Sequence, residues 1–211
     1  VALLGAGFAV FLVAEWHNPA TIGPDSVVQK AWVSLFGAVT PRPAALNSVD
    51  VGAMTDTGLL GTMGLMFVGA GSAGTSGGIK VGTAAVLALV VWSQLRGSSD
   101  VVAFRRRISD RIQREATTVA VLGVAVVVLA TAVLAASTPF GLRDTLFEAT
   151  SAFGTVGLST GITPLLPAVG QLCLVGVMLV GRLGPVTLGM ALVLKRREAR
   201  IRYPEEAPLI G

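Results

Sequence analysis

The chain has 211 residues, 53% of them hydrophobic and only 13% charged, with a mean hydropathy of +0.75. A soluble domain carries about 25% charged residues, so this composition excludes an ordinary water-soluble enzyme and makes lipid the main solvent. The net charge of +4 and the pI near 10.0 arise from local basic clusters and require no nucleic acid, and the single cysteine, Cys173, rules out an internal disulfide.

Residues 1–14 read as the tail of a membrane helix that ends outside at Glu15-Trp16-His17-Asn18-Pro19, with His17 at headgroup level. This start is apolar and lacks the basic leader of a signal peptide, so the chain is expected to be the downstream part of something longer. Residues 27–38 form about three apolar turns, too short to span a bilayer. The chain then returns through residues 40–47, where Pro41 and Pro43 argue against helix. Residues 54–92 are apolar but carry the run Gly69-Ala70-Gly71-Ser72-Ala73-Gly74-Thr75-Ser76-Gly77-Gly78. One continuous helix there would be about 58 Å long against ~30 Å of hydrocarbon. A break at the glycine run is therefore expected.

Residues 97–115 are polar and basic and read as a helical cytoplasmic connector. Residues 116–136 form an uninterrupted spanning helix, and residues 142–153 a second half-span that leads into the Gly- and Thr-rich stretch 154–161. Residues 165–194 cross back, interrupted at Gly181-Arg182-Leu183-Gly184-Pro185. The spanning helix, half-helix, extended return and broken helix thus occur twice, and both copies start and end on the same side. Such copies are parallel repeats about an axis along the membrane normal, as a ring-shaped pore requires. Arg96, Arg105, Arg106, Arg107, Arg111 and Arg114 form one basic cluster and residues 195–202 another; the positive-inside rule places both in the cytoplasm. The fold class expected is all-α membrane protein, divided into a first repeat (1–96), the connector (97–115), a second repeat (116–194) and a cytoplasmic tail (195–211).

Irregular backbone at membrane depth is tolerated only where it is buried or lines a water-filled path. Rings of carbonyl oxygens can replace the hydration shell of a cation, so the carbonyls of Thr155, Val156, Gly157 and Leu158, fed by a half-helix dipole, read as part of a cation pore. Ala44, Ala45 and Leu46 are the partner strand in the first copy. Either stretch could instead be an ordinary loop. Glu148 on the second half-helix either anchors it by hydrogen bonds or adds negative potential. Arg182 in mid-membrane costs at least ~2.5 kcal/mol to insert, so it faces a cavity or a partner, with Glu148 and loop carbonyls as the structural alternatives. Asp25, Asp50 and Asp56 read as extracellular rim residues that could concentrate cations.

Three competing readings are weaker. Gly69-Ala70-Gly71-Ser72-Ala73-Gly74 satisfies a dinucleotide-binding GxGxxG, but no acid stands about 20 residues on, where Val91-Trp92-Ser93-Gln94 is found. A non-pore secondary transporter would more commonly show inverted repeats. The third is a structural half-subunit that supports a conducting partner.

The strings Phe67 to Lys80, Phe147 to Pro164 and Gly181 to Pro185 together resemble the Trk/Ktr/HKT superfamily of potassium transporters, over nearly the whole chain. The resemblance implies four helix–pore loop–helix repeats, of which this chain is similar to the third and fourth, so that an upstream half must complete the filter. It implies potassium as the cation, a homodimer with one pore per subunit in the plasma (inner) membrane, and nucleotide only on a separate cytosolic regulatory ring. It also implies an intramembrane gating loop that uses Gly69, Gly71, Ser72, Gly74, Thr75, Gly77 and Gly78. Lys80 then either pins the loop or snorkels to the cytoplasm, and Arg182 raises the barrier to cations. The family places a glycine in each filter strand. Gly157 matches, but the corresponding residue in the first copy is Ala45, which makes sodium possible alongside potassium.

Overall fold

The computed structural model describes residues 2–42, 46–69, 71, 77–97, 100–103 and 106–184. These residues are overwhelmingly helical: α1 (Ala2–Glu15), α2 (Val27–Val39), α3 (Asp56–Phe67), α4 (Val81–Leu95), α5 (Asp110–Ser137), α6 (Leu142–Gly154) and α7 (Ala168–Leu183). Short 3-10 turns occupy Val51–Ala53 and Thr163–Leu165. Two-residue strands β1 (Val102–Ala103) and β2 (Arg106–Arg107) pair antiparallel.

Local chemistry sets the ends of these helices. Ser26 and Gln29 form a reciprocal capping box at the start of α2. Thr55 caps α3 by accepting a bond from the Gly58 N–H. The long apolar stretch breaks between Phe67 and Val81, at the glycine run, as its length requires. Its two ends stay together: Gly69 N–H donates to the Ile79 carbonyl (2.8 Å), Ile79 N–H donates to the Phe67 carbonyl (3.0 Å), and Val68 and Ile79 form a parallel bridge.

One expectation is corrected. The basic connector is not helical throughout: Val102–Ala103 and Arg106–Arg107 form a hairpin, held beside an exposed Arg107–Asp100 ion pair at 3.0 Å, and helix begins only at Asp110. That start adds a polar turn and a half to the spanning helix. Among the described residues, α5 alone is long and apolar enough to cross a membrane, while α1, α2, α4 and α7 are shorter apolar helices.

Two buried clusters organise the packing. One lies among α5, α6 and α7 and includes Phe153, Leu134, Val127 and Leu174, with Ile79 reaching into it. The other gathers Phe11, Ile22, Leu59, Met63 and Met66 around Phe147, Val156 and Leu158. The strand after α6 is therefore gripped by residues of α1 and α3. Outside these clusters the helices present Val121, Val128, Leu129, Leu172, Val175 and Leu179 outward. An apolar exterior of this extent suits a lipid surround.

Candidate functional site

The site is built on α6. Asp144 in its first turn complements the positive end of the helix dipole. From Phe147 to Gly154 every residue is buried, enclosed by α3, α5 and α7. The helix stops because Thr155 adopts the left-handed conformation (φ 51°, ψ 40°), the one non-glycine residue with positive φ among those described. Thr155 N–H donates to the Ala152 carbonyl and Val156 N–H to the Ser151 carbonyl, both at 3.0 Å, a left-handed helix cap. The negative end of a fully enclosed half-helix dipole thus points at the strand that follows.

That strand runs back along α6. Val156 and Leu158 are buried in the cluster built on α1 and α3, whereas Gly157 is exposed at φ 87°, a conformation that favours glycine. Thr155, Gly157, Ser151, Val175, Met178, Leu179 and Arg182 line one open-sided cavity of about 370 Å³. The Leu158 carbonyl accepts a 2.6 Å bond from Ser151 Oγ, so this oxygen is turned toward the half-helix.

Beyond Leu158 the strand closes around Glu148, which is 4% exposed. Its Oε1 accepts from Ser159 Oγ (2.6 Å), Thr160 N–H (2.9 Å) and Thr160 Oγ1 (3.3 Å), and its Oε2 from Thr163 Oγ1 (2.6 Å). The anchoring role considered for Glu148 is the one its bonds describe. The alternative pairing of Glu148 with Arg182 is not made.

The end of the glycine run sits directly beneath Thr155. Gly77 N–H donates to Thr155 Oγ1 at 2.8 Å, and a side chain at Gly77 would collide with Thr155 and the Phe153 carbonyl. From the other side α7 closes in so tightly that a Cβ at Gly181 would overlap the Phe153 carbonyl. Phe153 also stacks on Phe67, the last residue of α3, with ring centroids 5.6 Å apart. Gly77, Gly78, Thr155 and Gly181 therefore converge at one junction. Gly69 closes the base of the loop, Gly71 is exposed, and Lys80 occupies the N-cap of α4. Arg182 lies in the last turn of α7, exposed to the cavity and without a bonded partner among the described residues. Ser72, Gly74 and Thr75 lie outside the described residues, as do Ala44 and Ala45; Leu46 is 60% exposed.

Two residues that organise the surroundings escaped the sequence reading. Glu15, read only as part of the outside end of the first helix, is fully buried and accepts four bonds: from Asn18 Nδ2, Thr21 Oγ1, and the Thr55 N–H and Oγ1. It clasps the end of α1 to the start of α3. Arg143 ties α6 to the start of α3, donating to the Met54 carbonyl at 2.7 Å and pairing with Asp56 at 3.2 Å. A charge at the edge of an apolar run was the only local signal for either, and most such residues are solvated.

Residues 1–199 match the TrkH family, described as cation transport proteins. The chain is 40% identical over 206 residues to the Ktr system potassium uptake protein B of Bacillus subtilis, covering 98% of this chain and 46% of that protein. It is 37% identical over 210 residues to the protein of the same name from Vibrio alginolyticus, covering 99% and 46%. To the potassium/sodium uptake protein NtpJ of Enterococcus hirae it is 35% identical over 215 residues, covering 99% and 48%. The chain thus spans about half the length of these relatives. An apolar helical chain, a half-helix aimed at a Gly-containing strand and this extent of matching lead to one conclusion: the protein belongs to the TrkH family of cation transport proteins, within the Trk/Ktr superfamily.

Proposed function

We propose that this chain is the C-terminal half of a potassium uptake pore, in which main-chain oxygens around Thr155, Val156 and Gly157 replace the hydration shell of the cation. The observation that carries the reading is the strand itself. It leaves the negative end of a buried half-helix with left-handed residues at 155 and 157, on either side of Val156. In an ordinary strand carbonyls alternate sides; left-handed residues at every second position let them lean together toward an ion. Leu158 supports the set from behind, its carbonyl already held by Ser151. Ala44, Ala45 and Leu46 supply the matching strand of the first repeat, and an upstream half supplies two more.

In this reading residues 69–78 form the gate under the filter, closed through the bond from Gly77 to Thr155, and Arg182 raises the barrier to cations in the cavity it shares with Thr155 and Gly157. The rest follows from the family. The two repeats (1–96 and 116–194) are parallel, the connector (97–115) and tail (195–211) face the cytoplasm of the inner membrane, and the subunit forms a homodimer. The name Ktr system denotes a multi-component assembly, which supports a separate cytosolic nucleotide-binding ring. Sodium is the second cation, favoured by Ala45 and by the potassium/sodium name of one relative.

The test is rubidium uptake by the chain expressed with its upstream half in cells lacking their own potassium uptake. Gly157→Val, which places a side chain at positive φ, is expected to lower uptake at least about tenfold at equal membrane abundance. Uptake unchanged by that substitution removes the strand from the permeation path.

A further inference from the structure

We infer that Glu148 is a positioning residue for cation selectivity: its buried carboxylate fixes the outer end of the strand that carries Gly157, and so sets how well the carbonyls discriminate among alkali cations. The inference rests on the pore reading above and deepens it.

Three fastenings hold this strand to α6, and they climb the helix in order. Val156 N–H meets the Ser151 carbonyl, Ser151 Oγ meets the Leu158 carbonyl, and Glu148 takes Ser159, Thr160 and Thr163. Ser151 and Glu148 are three residues apart, on one face of the helix. Glu148 is the uppermost fastening, and past it the strand turns at Gly161, exposed at φ 95°. Ser159 Oγ also lies 3.0 Å from Thr163 Oγ1 and accepts from Gly161 N–H at 2.9 Å, so residues 159–163 close into a ring about the carboxylate.

The chemistry of the ring separates positioning from simple packing. A buried carboxylate is costly unless it is fully hydrogen-bonded, and here both oxygens are occupied by neutral donors with no cation paired to them among the described residues. An acceptor-only group that gathers donors from 159, 160 and 163 holds a loop in one shape, because each donor is directed. It also lies behind the strand, which argues against attracting cations from solution. A carboxamide keeps the volume and one oxygen for Ser159 and Thr160, but its NH2 cannot accept the bond that Oε2 takes from Thr163 Oγ1 and so loosens the ring there. Glu15 offers a matched comparison: another fully buried carboxylate with four donors, but located between α1 and α3.

The experiment measures rubidium and sodium uptake side by side, in the chain expressed with its upstream half, for Glu148→Gln, Thr163→Val and Glu15→Gln. Glu148→Gln is expected to lower the rubidium-to-sodium ratio roughly threefold or more and Thr163→Val by less, because filter selectivity depends on where the carbonyls stand. Glu15→Gln should leave the ratio as it is. Where Glu148→Gln fails to reach the membrane, Thr163→Val decides. An unchanged ratio in the folded variants overturns the inference, and so does an equal shift in Glu15→Gln, which would indicate general loosening. Wild-type protein that takes up neither cation removes the pore reading, and this inference with it.

Discussion

The two half-helices share a length of 13 residues but not a setting. Helix α6 is buried from Phe147 to Gly154 and its following strand is fastened at three levels. Helix α2 buries only Lys30, Ser34 and Ala38, against α1, and leaves Trp32, Leu35, Phe36 and Val39 outward around an open groove of about 480 Å³. The difference lies in neighbours. Helix α6 touches α3, α5 and α7, whereas α2 packs chiefly on α1. A short helix is finished by the elements around it as much as by its own sequence, and among the described residues α6 is enclosed where α2 is not.

The largest contrast should come from core aromatics. Phe153→Ala removes a fully buried ring stacked on Phe67 and is expected to destabilise by about 3–5 kcal/mol. Phe36→Ala, at a ring 40% exposed, should lose less than about 1.5 kcal/mol of the same stability. Unfolding of the purified chain in detergent checks both, and equal losses would break the contrast between the hairpins. A middle-sized effect should appear at the junction below Thr155. Thr155→Val removes the acceptor for Gly77 N–H, a bond worth about 1 kcal/mol. Amide hydrogen exchange at Gly77 should accelerate roughly fivefold, while Thr155→Ser leaves it near wild type. The smallest effect belongs to the rim: the Asp56 side chain is 79% exposed in its pair with Arg143, so Asp56→Asn should cost at most about 1 kcal/mol. A larger loss there would mean that α3 and α6 lean on this tie more than on their buried clusters.

Much of the architecture was legible beforehand, and the reasons are specific. The break between Phe67 and Val81 followed from helix length against bilayer thickness, and the end of α6 from the Gly154-Thr155 step. The pairing of Val102–Ala103 with Arg106–Arg107 was hidden because a short basic segment has no apolar period to read. Glu15 and Arg143 were hidden because their partners, Thr55, Met54 and Asp56, lie some 40 and nearly 90 positions away, and single-chain periodicity carries no information at that range. The same holds for Val156 and Leu158. Their membership of the cluster built on α1 and α3 is a tertiary fact that no local pattern announces.

That last feature has a bearing on how such a protein can change over time. Because Leu59, Met63 and Met66 share one buried cluster with Val156 and Leu158, a lost methylene on α3 is felt at the strand that follows α6. Transplanting a single hairpin between relatives moves a plug without its receptacle. Drift in α3 and in the strand after α6 is thereby harnessed together, although the two segments lie far apart in sequence.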